Sequence, residues 1–164
     1  MKHFSFIIVS FLFVVAAKAE IPTGFADITF GATTQKVQTA FSKREGVNLV
    51  SNTTERLTYT GGTFGGQPVT LWTLNFADGK FASGSVLMAK VKKPVYDDLK
   101  TQLSKKYGKN YSEKGHHSFE CLWEFRSNGR KTVRLEYEYM GNVIVTYSHD
   151  GITKKALESK KSEL

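Results

Sequence analysis

The segment GHHSFECLWEF, Gly115 to Phe125, sets two adjacent histidines, a glutamate and the only cysteine of the chain close together. Imidazole, carboxylate and thiolate are the groups that hold zinc, and a thiolate beside a base is a nucleophile. Strand alternation argues against both. It sends His117, Phe119, Cys121, Trp123 and Phe125 to one face and His116, Ser118, Glu120, Leu122 and Glu124 to the other. A thiol among aromatic rings is desolvated, and its pKa moves up, away from the thiolate. His116 and Glu120 share a face but stand roughly 13 Å apart along an extended chain, too far for one ion. No catalytic residue, metal ligand or cofactor is assigned.

Three further groups could do chemistry. Glu120, Glu124, Arg126, Arg134, Glu136 and Glu138 fall on one strand face, where acids alternating with arginines read as a solvated surface rather than an acid–base pair. Gly61 to Gly66, GGTFGG, lacks the Gly-Lys-[Ser/Thr] that cradles phosphate, and reads as a hairpin loop that either folds Phe64 back onto the domain, the favoured reading, or is mobile and presents Phe64 to a partner. Trp72, Phe76 and Phe81 make one strand face aromatic. Loops or the tail cover that face, or it is open to a ligand or protein. Phe64, Trp72, Phe76 and Phe81 are therefore the candidate partner-binding residues.

The elements that must position these groups are punctuated by turn chemistry. A first helix is predicted over Thr34 to Arg44, with Thr33 as N-cap and Val37, Ala40 and Phe41 on its buried face. A second begins at Pro94, carries Asp97 and Asp98 early and Lys105 and Lys106 late, buries Val95, Leu99, Leu103 and Tyr107, and stops at Gly108. Asp78-Gly79 joins strands Val69–Phe76 and Phe81–Met88, setting Phe76 opposite Phe81 and Trp72 opposite Ser85. That register puts Trp72, Leu74, Phe76, Phe81 and Leu87 on one face. Val69, Leu71, Val86 and Met88 take the other, where Ala82 and Gly84 leave room for the helices. In the later hairpin, a three-residue loop Ser127-Asn128-Gly129 with Gly129 left-handed opposes Trp123 to Val133, Cys121 to Leu135 and Phe119 to Tyr137. A two-residue turn would instead mix apolar and charged partners. A last hairpin turns near Gly141-Asn142 into Val143–Tyr147, followed by a lysine-rich helical tail over 151–164. The expected fold is α+β: a tandem α-β-β-β repeat with halves at about 26–90 and 91–149, one antiparallel sheet, two helices on one face and a short C-terminal helix.

The stretch ITFGATTQKVQTAF resembles the opening F/W-G-x-[ST]-x-x-x-V helix of small exported bacterial domains. LKTQLSKKYGKNYSE, CLWEF, VRLEYEY and VIVTYSHD are similar to a pattern that recurs among them. The resemblance implies an architecture like that of the β-lactamase-inhibitor-protein-like (BLIP-like) fold. Its motifs are packing signatures, and with one cysteine the chain lacks the disulfides of the named inhibitor, so the inhibitor's activity is not carried across.

The ends and the composition narrow the function. Met1-Lys2-His3, an apolar run from Phe4 to Ala17 and Ala17-Lys18-Ala19 form a secretory leader, residues 1–19, cut after Ala19. The expected product is a single domain over 20–150 plus the tail, periplasmic or extracellular, with no transmembrane segment. One cysteine forms no internal bridge, so the fold rests on its apolar core. Removing Lys2 and Lys18 leaves 21 basic residues against 15 acidic. Outside the cell such a charge, dispersed over many lysines, is a solubilising surface in the favoured reading, or else meets anionic envelope polymers, lipid headgroups or acidic proteins rather than nucleic acid. The expected function is an exported non-enzymatic interaction or structural module, binding a protein or anionic envelope polymer through its sheet face and the glycine-rich loop. The alternatives are an inhibitor of a secreted enzyme, an enzyme on envelope polymers using His116 and Glu120, and a carrier of a small apolar ligand between sheet and helices.

Overall fold

The computed structural model describes residues 19–115 and 118–162; residues 1–18 of the expected leader, His116 and His117 lie outside them. A ribbon of β1 (Gly24–Phe25) and β2 (Ile28–Thr29) leads into α1 (Thr34–Phe41). Thr33 caps α1 as expected: its backbone is extended and its Oγ1 accepts the Lys36 N–H at 3.4 Å, satisfying an orphan donor of the first turn. Val37 and Phe41 are its buried residues. The helix ends at Phe41 rather than Arg44, because the chain tightens into a turn there and Arg44 reaches back to the carbonyl oxygen of Ala26.

The chain continues through β3 (Val47–Asn52), β4 (Arg56–Gly61), the small ribbon β5 (Thr63–Phe64) and β6 (Gln67–Pro68), β7 (Leu71–Ala77) and β8 (Lys80–Met88). Then come α2 (Lys93–Tyr107), β9 (Ser112–Gly115), β10 (Phe119–Arg126), β11 (Arg130–Glu138), β12 (Asn142–His149) and α3 (Asp150–Ser162). The fold is α+β with a C-terminal helix. Eight strands form one antiparallel sheet in the order β3-β4-β7-β8-β12-β11-β10-β9. Each half supplies four strands, not three: β3 and β9 are the additions, and both are edges whose exposed residues show no apolar alternation.

Directly paired residues Tyr59, Trp72, Val86, Val145, Leu135 and Cys121 cross six strands on one face, and each is at most 4% exposed. Phe41 of α1 meets Tyr59 and Trp72 at 4.8 and 5.5 Å between ring centroids, and Tyr96 of α2 touches Cys121. Both helices therefore cover this face. The opposite face carries Thr58, Thr73, Ser85, Thr146, Arg134 and Leu122 in the adjacent row.

The β10–β11 register is the expected one, with Trp123 opposite Val133, Cys121 opposite Leu135, and Gly129 at φ 98°. The β7–β8 register is not. Asp78-Gly79 makes the turn and Phe76 faces Phe81, but a bulge then shifts the pairing, so Trp72 faces Val86 and Ser85 faces Thr73. Asn75 pairs with Ser83, which leaves Ala82 as the extra residue, and Phe81 and Ala82 are both buried. One added residue reverses every later side chain of β8. Val86 and Met88 thus join Trp72 and Leu74 on the helix face, and the aromatic face is the core itself. Gly84 lies on that face too, and the space above it holds the Phe25 ring: a methyl group at position 84 would sit 2.2 Å from Phe25 Cδ1.

Helix α2 begins at Lys93 and Pro94 and stops at Gly108, φ 85°. Its buried residues are Tyr96, Leu99, Leu103 and Tyr107; Val95 is only half-buried. Asp97 lies beyond the first turn and pairs with Lys93 at 2.8 Å.

Candidate functional site

The expected partner-binding aromatics are mostly interior. Trp72, Phe76 and Phe81 are 0%, 7% and 0% exposed, so none of them presents a surface to a partner. The Trp72 indole N–H donates to the Gly61 carbonyl at 2.8 Å, which fixes the start of the glycine-rich loop. That loop is the ribbon β5–β6, turned by Gly65 and Gly66 at φ 56° and 78°. It folds Phe64 back onto the domain, 6.0 Å from both the Phe25 and Trp72 ring centroids, where it is half-buried. Of the four candidates only Phe64 reaches the surface.

Of the opening cluster, the strand separates the two described members, Cys121 and Glu120, onto opposite faces. Cys121 is fully buried, its Sγ 3.1 Å from the Tyr96 hydroxyl, and burial pushes its thiol pKa up. Glu120 stands on the other face, 3.8 Å from Arg134. Glu124 pairs with Arg130, whose hydrogen bond holds its carboxyl below the usual range. Glu136, opposite Glu120, has its pKa raised by burial. Among the described residues, no three His, Cys, Asp or Glu side chains gather where they could hold a metal ion.

Two adjoining hollows lie on the helix side, separated by the β1–β2 ribbon. One is a cleft of about 600 Å³ against α2, walled by Thr23, Phe64, Leu99, Leu103, Tyr107 and Tyr147. The Tyr107 hydroxyl donates to that of Tyr147 at 3.4 Å, and burial drives the Tyr147 pKa upward. The other is a groove of about 750 Å³ between the ribbon and α1, bordered by Gln35, Lys36, Thr39, Lys43, Arg44 and Asp27.

The ribbon is held in an unfavourable shape. Its two turn residues, Ala26 and Asp27, have φ of 48° and 63°, a region that side chains with a Cβ rarely adopt. Arg44 holds them there. Its guanidinium donates to the Ala26 carbonyl and to Asp27 Oδ2, the latter at 3.2 Å, and lies 5.1 Å above the Phe41 ring and 5.8 Å from that of Trp72. Comparison with protein-family models, with curated proteins and with solved structures found no match.

The groove therefore has a division of labour among its cations. Arg44 is half-buried and committed to the ribbon, whereas Lys36 on α1 and Lys43 just beyond it are exposed along the rim. Thr39 and Gln35 stand beside them as neutral hydrogen-bonding groups. Lys36, Lys43 and Arg44 were visible in the sequence only as members of a dispersed basic surface. What joins them is the left-handed Ala26-Asp27 turn, where Asp27 suits a left-handed position but Ala26 gives no signal for one.

Proposed function

We propose that the chain is an exported, non-enzymatic binding module that takes an anionic polymer along the groove between the β1–β2 ribbon and α1. The observation that carries this is the pair of exposed lysines, Lys36 and Lys43, on a groove whose remaining rim is neutral apart from the Arg44–Asp27 pair. With the leader removed, 21 basic residues against 15 acidic leave a net charge of +6 that brings anions to the molecule, and the groove supplies a place where they would be held. Phe64 and the α2 cleft lie across the ribbon from the groove, so the glycine-rich loop belongs to the same side of the molecule. The sheet-face aromatics drop out of the reading. Export is supported by the leader pattern and the A-x-A site. The reading of the halves as a tandem repeat is supported by the order helix then four strands of the large sheet in each, meeting at β8 and β12, with the β5–β6 ribbon as an insertion in the first.

The test uses polyphosphate and polygalacturonate, two polyanions of different backbone chemistry, in a binding titration at fixed salt. Neutralising Lys36 and Lys43 together, as Lys36→Gln with Lys43→Gln, is expected to weaken binding about tenfold, by removing two of the charges that release counterions. The control removes the same charge elsewhere, as Lys155→Gln with Lys161→Gln on α3, and is expected to leave affinity within about twofold. Equal weakening by both pairs, or no binding by the unmodified chain, would sink the groove as the contact.

A further inference from the structure

Glu20 makes the first hydrogen bond of the described chain to the rest of the fold. Its backbone N–H donates to the Lys106 carbonyl at 3.0 Å and its carboxylate lies 3.9 Å from Lys106 Nζ. Two residues later Pro22 is buried, and residues 20–24 form one wall of the α2 cleft. Lys106 is in the last turn of α2, where carbonyl groups have no partner within the helix; the Ser104 carbonyl is taken by the Gly108 N–H, and the Lys106 carbonyl by that of Glu20. Ala19 lies against Gly108, its methyl 3.2 Å from where a side chain at 108 would begin.

The A-x-A motif places the scissile bond of the leader between Ala19 and Glu20, at the same nitrogen that meets α2. We propose that processing there creates a structural group: the new α-amine of Glu20 caps the carboxyl end of α2 and fixes the wall of the cleft. This rests on the export reading above. In the hydrolysis, water adds across the Ala19–Glu20 amide, Ala19 leaves with the carboxylate, and the Glu20 nitrogen becomes a primary amine. At neutral pH that amine is an ammonium, with a free pKa of about 8.

An ammonium offers three N–H donors where the amide offers one, and it sits at the negative end of the α2 dipole. Lys105, Lys106 and Lys109 surround the same helix end and oppose it, while the Glu20 carboxylate and the open carbonyls favour it. All three lysines extend into solvent, where their repulsion is screened, whereas the carbonyl contact is direct. Capping holds the amine in its charged form, so the added stability is present at neutral pH and lost as pH rises through the raised pKa.

The full-length chain is expressed with its leader in a secreting bacterial host, and the exported product is weighed intact. Half is then acetylated at the α-amine near pH 6.5, where the lysines stay protonated, and the thermal midpoints of both halves are compared at pH 6.5 and pH 10. The expected mass is that of a chain beginning at Glu20. The free amine is expected to melt about 2 °C above the acetylated form at pH 6.5, with the gap closing at pH 10. Equal midpoints at both pH values overturn the cap, and an exported product beginning at another residue overturns the processing site. Polyanion binding retained in either case leaves the groove assignment standing, so the two readings fail separately.

Discussion

The imidazole of His149 is placed where a proton is unwelcome. It stands edge-on to Phe30 at 5.5 Å, its Cε1 is 2.9 Å from where a Gly129 side chain would begin, and its buried Nδ1 has no hydrogen-bond partner among the described residues. Lys131 is its cross-strand neighbour and Lys155 lies on the following helix, while a backbone hydrogen bond and Asp150 pull the other way. Burial first, then Lys131, moves its pKa below the ordinary value. The folded state thus favours the neutral ring, so the stability it supports is complete above about pH 6.5 and falls as pH drops below that value toward the lowered pKa. Urea unfolding at pH 7.5 and pH 5 is expected to show this loss in the unmodified chain and a smaller one in His149→Gln. Equal losses would assign the acid sensitivity to the carboxylates instead.

Among the elements, α2 begins less well than α1. Its N-cap, Lys92, contributes no side-chain hydrogen bond and sets a positive charge at the positive end of the helix, whereas Thr33 does cap α1. Lys92→Asp supplies an acceptor and a favourable charge, and is expected to stabilise the fold by about 1 kcal/mol, read as a raised urea midpoint with unchanged slope. The stop of α2 at Gly108 was legible in the sequence, and so was the β10–β11 register, because only one pairing there keeps apolar groups together. The β7–β8 register was not. Ala82 carries no turn chemistry, so nothing in its type announces the extra residue that moves Val86 beneath the helices. The edge strand β3 was equally hidden: Leu49 and Val50 are 52% and 61% exposed, which removes the alternation that betrays a strand. The bulge between Leu49 and Ser51 interrupts the ladder at that edge, a common guard against pairing with another chain.

At the scale of the whole molecule, one apolar cluster runs from Phe41 and Tyr59 through Trp72 and Val86 to Val145, Leu135 and Trp123. Among the described residues no buried polar side chain divides the two halves, and β8 and β12 pair over six residues at the middle of the sheet. A core shared in this way is expected to unfold as one unit, with calorimetric and van't Hoff enthalpies equal; two resolved transitions would show halves that stand independently. The candidate groove was the least legible feature because it is a product of this scale. Lys36 and Lys43 are near neighbours in sequence, but the opposing wall comes from Asp27 and Ile28, held in place by the reach of Arg44.

The position of β12 has a consequence for the order of assembly. It is the last strand in the chain yet lies between β8 and β11, so neither half-sheet can close until residues 142–149 have left the ribosome or a membrane pore. Until then two raw borders wait for the same late insert, and a chain halted before Asn142 would hold both open to any stray strand.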